Sequence, residues 1–289
     1  MATTVKSSFQ KLKENLEITD LQTTTVSTRQ QNIRKAVADE MTVLDSFLTG
    51  SYSRNTLIAP LNEADIDIFI VLDSSYYHDL SGPVALLEKV KNVLKITYPK
   101  TPDISRNGQA VTIQFTDFMV DVVPGFNRQG GGFLIPNSVS NNWIETDPKK
   151  HVEIMSSANS SHNGDLVPLI KMIKGWNKKQ NSHFSSFHLE VLALHILNGI
   201  TISDFPSGIR YFFDKCRDLI SKKNLDPAGY GGDVGSYINT QEKIKEAVDI
   251  LQLAYDRALK AEEYDRQGYV KSAIEKWQKV FGDYFPAYG

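Results

Sequence analysis

The sequence predicts an α+β protein, with a mixed α/β N-terminal half and an all-helical C-terminal half. Three observations predict this. Residues 66–72 (Ile-Asp-Ile-Phe-Ile-Val-Leu) are nearly continuous in β-branched and apolar side chains, as in a strand buried on both faces. Two short β-rich runs, 110–115 and 118–123, are separated only by Thr116 and Asp117, which is hairpin spacing. From about residue 163 onward, apolar positions recur at helical intervals.

Taken in order, residues 1–28 are polar and Thr-rich, and they read as a short helix or arm followed by a linker. Ile33, Val37, Met41, Leu44 and Leu48 recur at spacings of four and three, predicting a helix over 29–48 that Gly50 ends. The buried strand follows, then a helix over 83–97 opened by Pro83. The hairpin comes next, its second strand ended by Pro124 and Gly125, and residues 132–135 add a further strand. Leu166, Leu169, Ile170, Ile173 and Trp176 mark one helix of the second half, and Leu189, Leu192, Leu194 and Ile196 mark a very apolar one. Helices over 204–221, 240–261 and 266–281 complete the chain, with the Gly-rich loop 226–235 as a connector whose glycines are mobile. The expected domains are 1–160, with the N-terminal arm included, and 161–289. A ligand site is expected in the cleft between them.

The bulk numbers exclude several classes. Lys plus Arg total 32 and Asp plus Glu total 34, so no basic excess is present for strong nucleic-acid binding. The single cysteine, Cys216, can form no internal disulfide, and no Cys/His cluster has zinc spacing. His188 and His195 read as core or cleft histidines rather than ligands. The N-terminus lacks a signal pattern and no run of 18 apolar residues occurs, so neither a leader nor a membrane span is expected. A reducing cytoplasm fits this profile.

The chemistry is concentrated in residues 49–72. Gly50-Ser51 lies at an element end, where a glycine lets the backbone approach a phosphate and the serine hydroxyl adds a donor. Arg54 and Tyr52 flank this loop. Asp65-Ile66-Asp67 opens the buried strand. Residues i and i+2 of a strand share a face about 6–7 Å apart along the backbone, so both carboxylates can converge on hard cations. Asp121 stands alone in Phe118-Met119-Val120-Asp121-Val122-Val123, where burial is costly unless the carboxylate is paired or binds metal. If the two strands are neighbours, Asp121 completes a site for two Mg²⁺ or Mn²⁺ ions about 3.5–4 Å apart.

Gly-Ser, a spacer and Asp-h-Asp-h on a strand, followed by a distal h-h-Asp-h-h, resembles the signature of the DNA polymerase β-like nucleotidyltransferase superfamily. Within it the chain is similar to the bacterial cGAS/DncV-like nucleotidyltransferases, the CD-NTases of CBASS systems. The likeness extends to Val120-Asp121-Val122-Val123-Pro124, to Trp143-Ile144-Glu145-Thr146-Asp147-Pro148, and to residues 169–177 and 185–190 in the helical half. Asp226-Pro227, the run from Trp277 to Gly282, and Phe285-Pro286 also match. The departure is Asn55-Thr56, where the family commonly has Gly-Thr.

The resemblance implies a mixed polymerase β-like sheet with a helical lobe and an active-site cleft between them. It implies Mg-dependent synthesis of a cyclic di- or trinucleotide from NTPs, ATP among them, with release of pyrophosphate, in antiphage defence. Asp65, Asp67 and Asp121 would bind metal, with Asp121 assisting deprotonation of the attacking hydroxyl. Gly50 and Ser51 would contact phosphate. Lys171 and Lys174 lie three apart and read by themselves as a basic helix edge; by the resemblance, Lys174 would reach the donor triphosphate. Ser186 would add a hydroxyl at a helix start, and Phe187 would offer its ring to a base or serve as a core aromatic. In some related systems an E1/E2-like partner conjugates the cyclase through its C-terminal residue, a role open to Gly289. The competing readings are a transferase acting on an RNA 3′ end or a small molecule, and an inactive nucleotide-binding module. Retention of the three aspartates with Lys174 and Ser186 opposes the last.

Overall fold

The computed structural model describes residues 3–101 and 103–289. Its contacts divide the chain into two compact units: one of Ile18–Glu153, and one joining the segment up to Glu17 with Ile154–Gly289. The N-terminal arm therefore belongs with the C-terminal helices, not with the sheet as expected, and the division falls at 153/154 rather than 160/161.

In the sheet unit, α2 (Asp20–Glu40) begins at a capping box, Thr19 with Gln22. The expected linker is the first half of this helix. Its threonines stay helical because the hydroxyls of Thr23, Thr24, Thr25 and Thr28 donate to the carbonyl four residues back. The helix ends at Met41, whose backbone is extended. The next segment is β1 (Val43–Thr49), a strand where the sequence predicted helix. Leu44 and Leu48 continued the helical spacing by coincidence, and Leu44 is 55% exposed. Pairing with the next strand and stacking of Phe47 on Phe69 (ring centroids 5.1 Å apart) decide the conformation.

β1 pairs antiparallel with β2 (Asp65–Leu72), and β2 runs parallel to β5 (Met119–Asn127). Between them come the four-residue helix α3 (Gly50–Ser53), the short α4 (Ser75–Asp79), and α5 (Pro83–Thr97), which starts at Pro83 as predicted. β3 (Ile104–Asn107) and β4 (Ala110–Gln114) extend the order to β1-β2-β5-β4-β3. The β4–β5 hairpin turns through Thr116 and Asp117 and is closed by Phe115 N–H on Phe118 O at 3.2 Å. Arg29 of α2 locks it, pairing with Asp117 and lying over the rings of Phe115 and Phe118. β5 does not end at Pro124. Pro124 lies opposite Ile70 of β2, while on the other edge β4 pairs β5 only through Val122 and β6 (Phe133–Asn137) only from Phe126, so that edge asks no N–H of Pro124. β7 (Asn142–Thr146) pairs with β6.

The two faces of the sheet differ. Ile66, Ile68, Ile70, Val120 and Val122 join Ile33 and Val37 of α2 and Leu86, Leu87 and Val90 of α5 in the main core. On the other face Phe69 and Val71 pack with Phe133 and Ile135. That second cluster covers only the far end of β2, so Asp65 and Asp67 lie on its uncovered end.

In the helical unit, α1 (Val5–Asn15) sets Phe9 edge-on against Trp277, Phe281 and Phe285 at 4.9–5.9 Å. The predicted helices are present as α7 (Leu166–Lys179), α8 (Ser186–Leu197), α9 (Phe205–Leu219), α10 (Gln241–Arg266) and α11 (Val270–Phe281). α6 (Pro148–Ser161) spans the division and was not foreseen. Among the described residues, no helix is long and apolar enough to cross a membrane.

Candidate active site

In the sheet unit, strand register places the carboxylates. Thr49 of β1 lies opposite Asp67 of β2, Asp67 opposite Asp121 of β5, and Asp121 opposite Thr112 of β4. Directly opposed residues share a face, so Thr49, Asp67, Asp121 and Thr112 form one row across four strands. Asp65 sits two residues earlier on the same face of β2, opposite Met119, and is exposed. The structure thus brings Asp67 and Asp121 side by side and sets Asp65 one pleat away.

Gly50 follows the row directly, at φ +65°. A Cβ there would stand 1.8 Å from Asp67 Oδ2, so the carboxylate occupies the space any side chain would need. Both the backbone angle and the contact require glycine. The carbonyl of Ser51 accepts from Thr56 N–H at 2.9 Å and Leu57 N–H at 3.1 Å, which pins the loop back on α3. The turn that permits this passes through Asn55 at φ +58°. Asn tolerates the left-handed region better than other non-glycine residues. The departure from Gly-Thr at Asn55-Thr56 therefore keeps the loop geometry.

Asp121 Oδ1 accepts from Thr112 Oγ1 at 2.5 Å. Burial pushes its carboxyl above the usual carboxylate range, and the Thr112 bond opposes this only in part.

In the helical unit, buried side-chain bonds hold the residues that the sequence singled out. Lys174 and Glu190 form an ion pair at 3.2 Å between α7 and α8, with side chains only 6% and 1% exposed. Lys171 pairs with Glu17 at 2.6 Å, so the two lysines are bridges inside this unit and not an open basic edge. Asn177, also buried, clamps the backbone of Phe184: its Oδ1 accepts from Phe184 N–H at 3.0 Å and its Nδ2 donates to Phe184 O at 2.7 Å. Trp176 stacks on Phe184 at 5.7 Å. Together these hold the turn that leads into α8, whose first residues are the exposed Ser186 and the half-buried Phe187. His188 is fully buried while His195 is exposed. Cys216 is buried, which pushes its thiol far up and leaves it inert.

Sequence reasoning missed Thr112, Thr49, Asn177 and Glu190. Asn177 and Glu190 lay inside quoted motifs, so their positions carried a signal. Thr112 and Thr49 carried none until strand order was known.

A sheet of this order, with paired carboxylates next to a Gly-Ser turn, defines a nucleotidyltransferase. The model of the Second Messenger Oligonucleotide or Dinucleotide Synthetase (SMODS) domain matches residues 3–159, and the chain belongs to that family. It is 28% identical over 272 residues to a probable cyclic nucleotide synthase of Bacillus cereus, covering 83% of this chain and 81% of that protein. It is also 28% identical over 265 residues to a cyclic AMP-AMP-AMP synthase of Acinetobacter sp., covering 83% and 72%. The solved structure of Escherichia coli MS115-1 CdnC with ATP superposes with a TM-score of 0.78 at 19% identity, covering 98% and 99% of the two chains.

The donor set suits a hard divalent cation. It offers carboxylate oxygens side by side on Asp67 and Asp121, the second half-buried with one oxygen still bonded to Thr112. Among the described residues, no three of His, Cys, Asp or Glu are gathered into a group that could hold a metal by itself. Mg²⁺ commonly binds through one or two carboxylates, with substrate phosphates and water completing the shell, and Asp67 with Asp121 fits that mode.

Proposed function

We propose that this chain joins NTPs, ATP among them, into a cyclic di- or trinucleotide second messenger, releasing pyrophosphate, in antiphage defence. The observation that carries this is the row Thr49, Asp67, Asp121 and Thr112, with Gly50 pressed on the Asp67 carboxylate. Asp65, Asp67 and Asp121 are assigned to two Mg²⁺ or Mn²⁺ ions. When bound, such ions lower the pKa of an attacking hydroxyl and offset charge on the leaving pyrophosphate. Asp121, whose burial raises its proton affinity, accepts the proton of the attacking 3′ or 2′ hydroxyl. Thr112 fixes the orientation of that carboxylate through its hydroxyl. The Gly50-Ser51 backbone, free of a side chain at its first residue, receives the donor phosphates. The sheet unit is the catalytic lobe in this reading. The helical unit supplies Ser186 for the phosphates and the Phe187 ring for a base. Lys174, held by Glu190, supplies positive charge toward the triphosphate.

The test is incubation with all four NTPs and Mg²⁺ or Mn²⁺, with products resolved by chromatography and mass spectrometry. Cyclic products and stoichiometric pyrophosphate are expected. Transfer to an RNA 3′ end, or no product under any cation, overturns the assignment.

The finer partner assignment is conjugation by an E1/E2-like protein at Gly289. Buried Phe285 anchors the tail while residues 287–289 are exposed and accessible. Co-expression with the neighbouring genes should give slower-migrating species on a denaturing gel. Gly289→Glu should remove them, and their persistence in that variant refutes the role.

A further inference from the structure

The loop 226–235 was expected to be a connector with mobile glycines. It is instead tied at several points. Asp226 accepts from Ala228 N–H at 3.1 Å and from Gly231 N–H at 2.7 Å. Asp233 Oδ1 accepts from Asn224 N–H and Gly235 N–H, both at 2.9 Å. At the end of the loop, Lys243 of α10 donates to the Tyr237 carbonyl at 2.9 Å. The loop therefore presents the Tyr237 side chain from a fixed base.

The Tyr237 hydroxyl meets the start of α8. It accepts from Ser185 N–H at 3.0 Å and lies 3.1 Å from His188 Nδ1. Ser185 is the N-cap of α8, and its own side chain makes no capping bond. Tyr237 thus satisfies an N–H at the helix start from 52 residues away in the chain. The Tyr237 oxygen, accepting from Ser185, shares a second hydrogen bond with Nδ1 whose donor is set by the imidazole tautomer. Burial keeps that imidazole neutral, holding His188 down at about 4. The ring stands at 90° to Tyr237, with centroids 5.6 Å apart. The loop closes on the ring at Gly235, where a Cβ would lie 2.8 Å from His188 Cε1.

We propose that Tyr237 and His188 are positioning residues for nucleotide binding: the Ser185–Tyr237–His188 chain fixes the first turn of α8 and so aims Ser186 and Phe187. This rests on the reading of Ser186 and Phe187 as nucleotide contacts. Tyr237 and His188 are assigned no substrate contact of their own. They act by removing the freedom of the turn that carries those contacts, so binding need not order it.

The test compares Ser186→Ala, Tyr237→Phe, His188→Asn, His188→Leu and the Ser186→Ala/Tyr237→Phe double variant, reading KM for NTP, kcat and melting temperature. Tyr237→Phe should raise KM about fivefold to tenfold, the scale of one lost hydrogen bond, with kcat little changed and a folded protein. His188→Asn, whose amide can accept from or donate to the tyrosine hydroxyl, should keep KM near wild type, whereas His188→Leu should match Tyr237→Phe. The double variant should be no worse than Ser186→Ala, because the two act through one contact. A wild-type KM for Tyr237→Phe alongside a raised KM for Ser186→Ala overturns this inference alone. Additive effects in the double variant, or His188→Asn failing like His188→Leu, do the same. A wild-type KM for Ser186→Ala removes the nucleotide reading and the inference with it.

Discussion

Asp67 and Asp121 owe their places to backbone register, whereas Lys174 and Ser186 owe theirs to buried side-chain bonds. In the sheet unit, ladder hydrogen bonds set the carboxylates opposite each other. In the helical unit, the buried Lys174 and Glu190 hold one another, Asn177 holds the backbone of Phe184, and His188 meets the Tyr237 hydroxyl. The difference teaches where function and stability separate. A residue placed by register keeps its backbone ladder when its side chain is changed. A residue placed by buried polar bonds loses what positions it, and its deletion takes a bond from a buried partner.

The largest effect expected under this contrast is on activity with no effect on folding. Changing Asp65 and Asp67 together to Ala should lower turnover roughly a thousandfold or more, several kcal/mol of lost cation binding. The melting temperature should hold or rise. A folded double variant with wild-type turnover would refute the carboxylate assignment.

In the helical unit the effect should fall on stability first. Lys174→Met removes the buried cation that pairs with Glu190 and should cost about 3–5 kcal/mol in chemical denaturation. Adding Glu190→Leu should recover most of that loss. The pair then sharpens the assignment of Lys174: if it also contacts phosphate, the double variant regains stability and still binds NTP weakly. Recovery of both would make Lys174 purely structural.

His188 makes the same contrast visible through pH. Its folded value of about 4 lies below the ordinary histidine value of 6.5. In the window between them the unfolded chain takes up a proton that the folded chain refuses, so stability falls as pH drops from 6.5 toward 4. The loss approaches about 3 kcal/mol below both values. Denaturant titrations across this window should show it, and His188→Asn should flatten the dependence. An unchanged slope in that variant would assign the acid sensitivity elsewhere.

The smallest effect concerns Thr112. Its hydroxyl favours the ionised form of Asp121, against burial. Thr112→Val should push the Asp121 carboxyl further up and move the acid limb of the rate–pH profile to higher pH, with the melting temperature little changed. An unmoved acid limb would exclude Asp121 as the group that titrates there.

The sequence by itself determined the class of fold, β2, the β4–β5 hairpin, five of the C-terminal helices and the three aspartates. The physical reason is that these signals are local. A β-branched run, a two-residue turn and a 3.6-residue period are legible in a window of neighbours, and a carboxylate inside an apolar strand is conspicuous by its cost. Tertiary structure alone decided what depended on distant partners. Residues 43–48 kept a helical spacing until pairing with β2 made them a strand. The N-terminal helix joined the helical unit because Phe9 packs on Trp277, Phe281 and Phe285 from the far end of the chain. Thr112 became a partner of Asp121 only when β4 took its place beside β5. Tyr237 reached the start of α8 across 52 residues because Asp226, Asp233 and Lys243 tie its loop, a closure that no local pattern of spacing encodes.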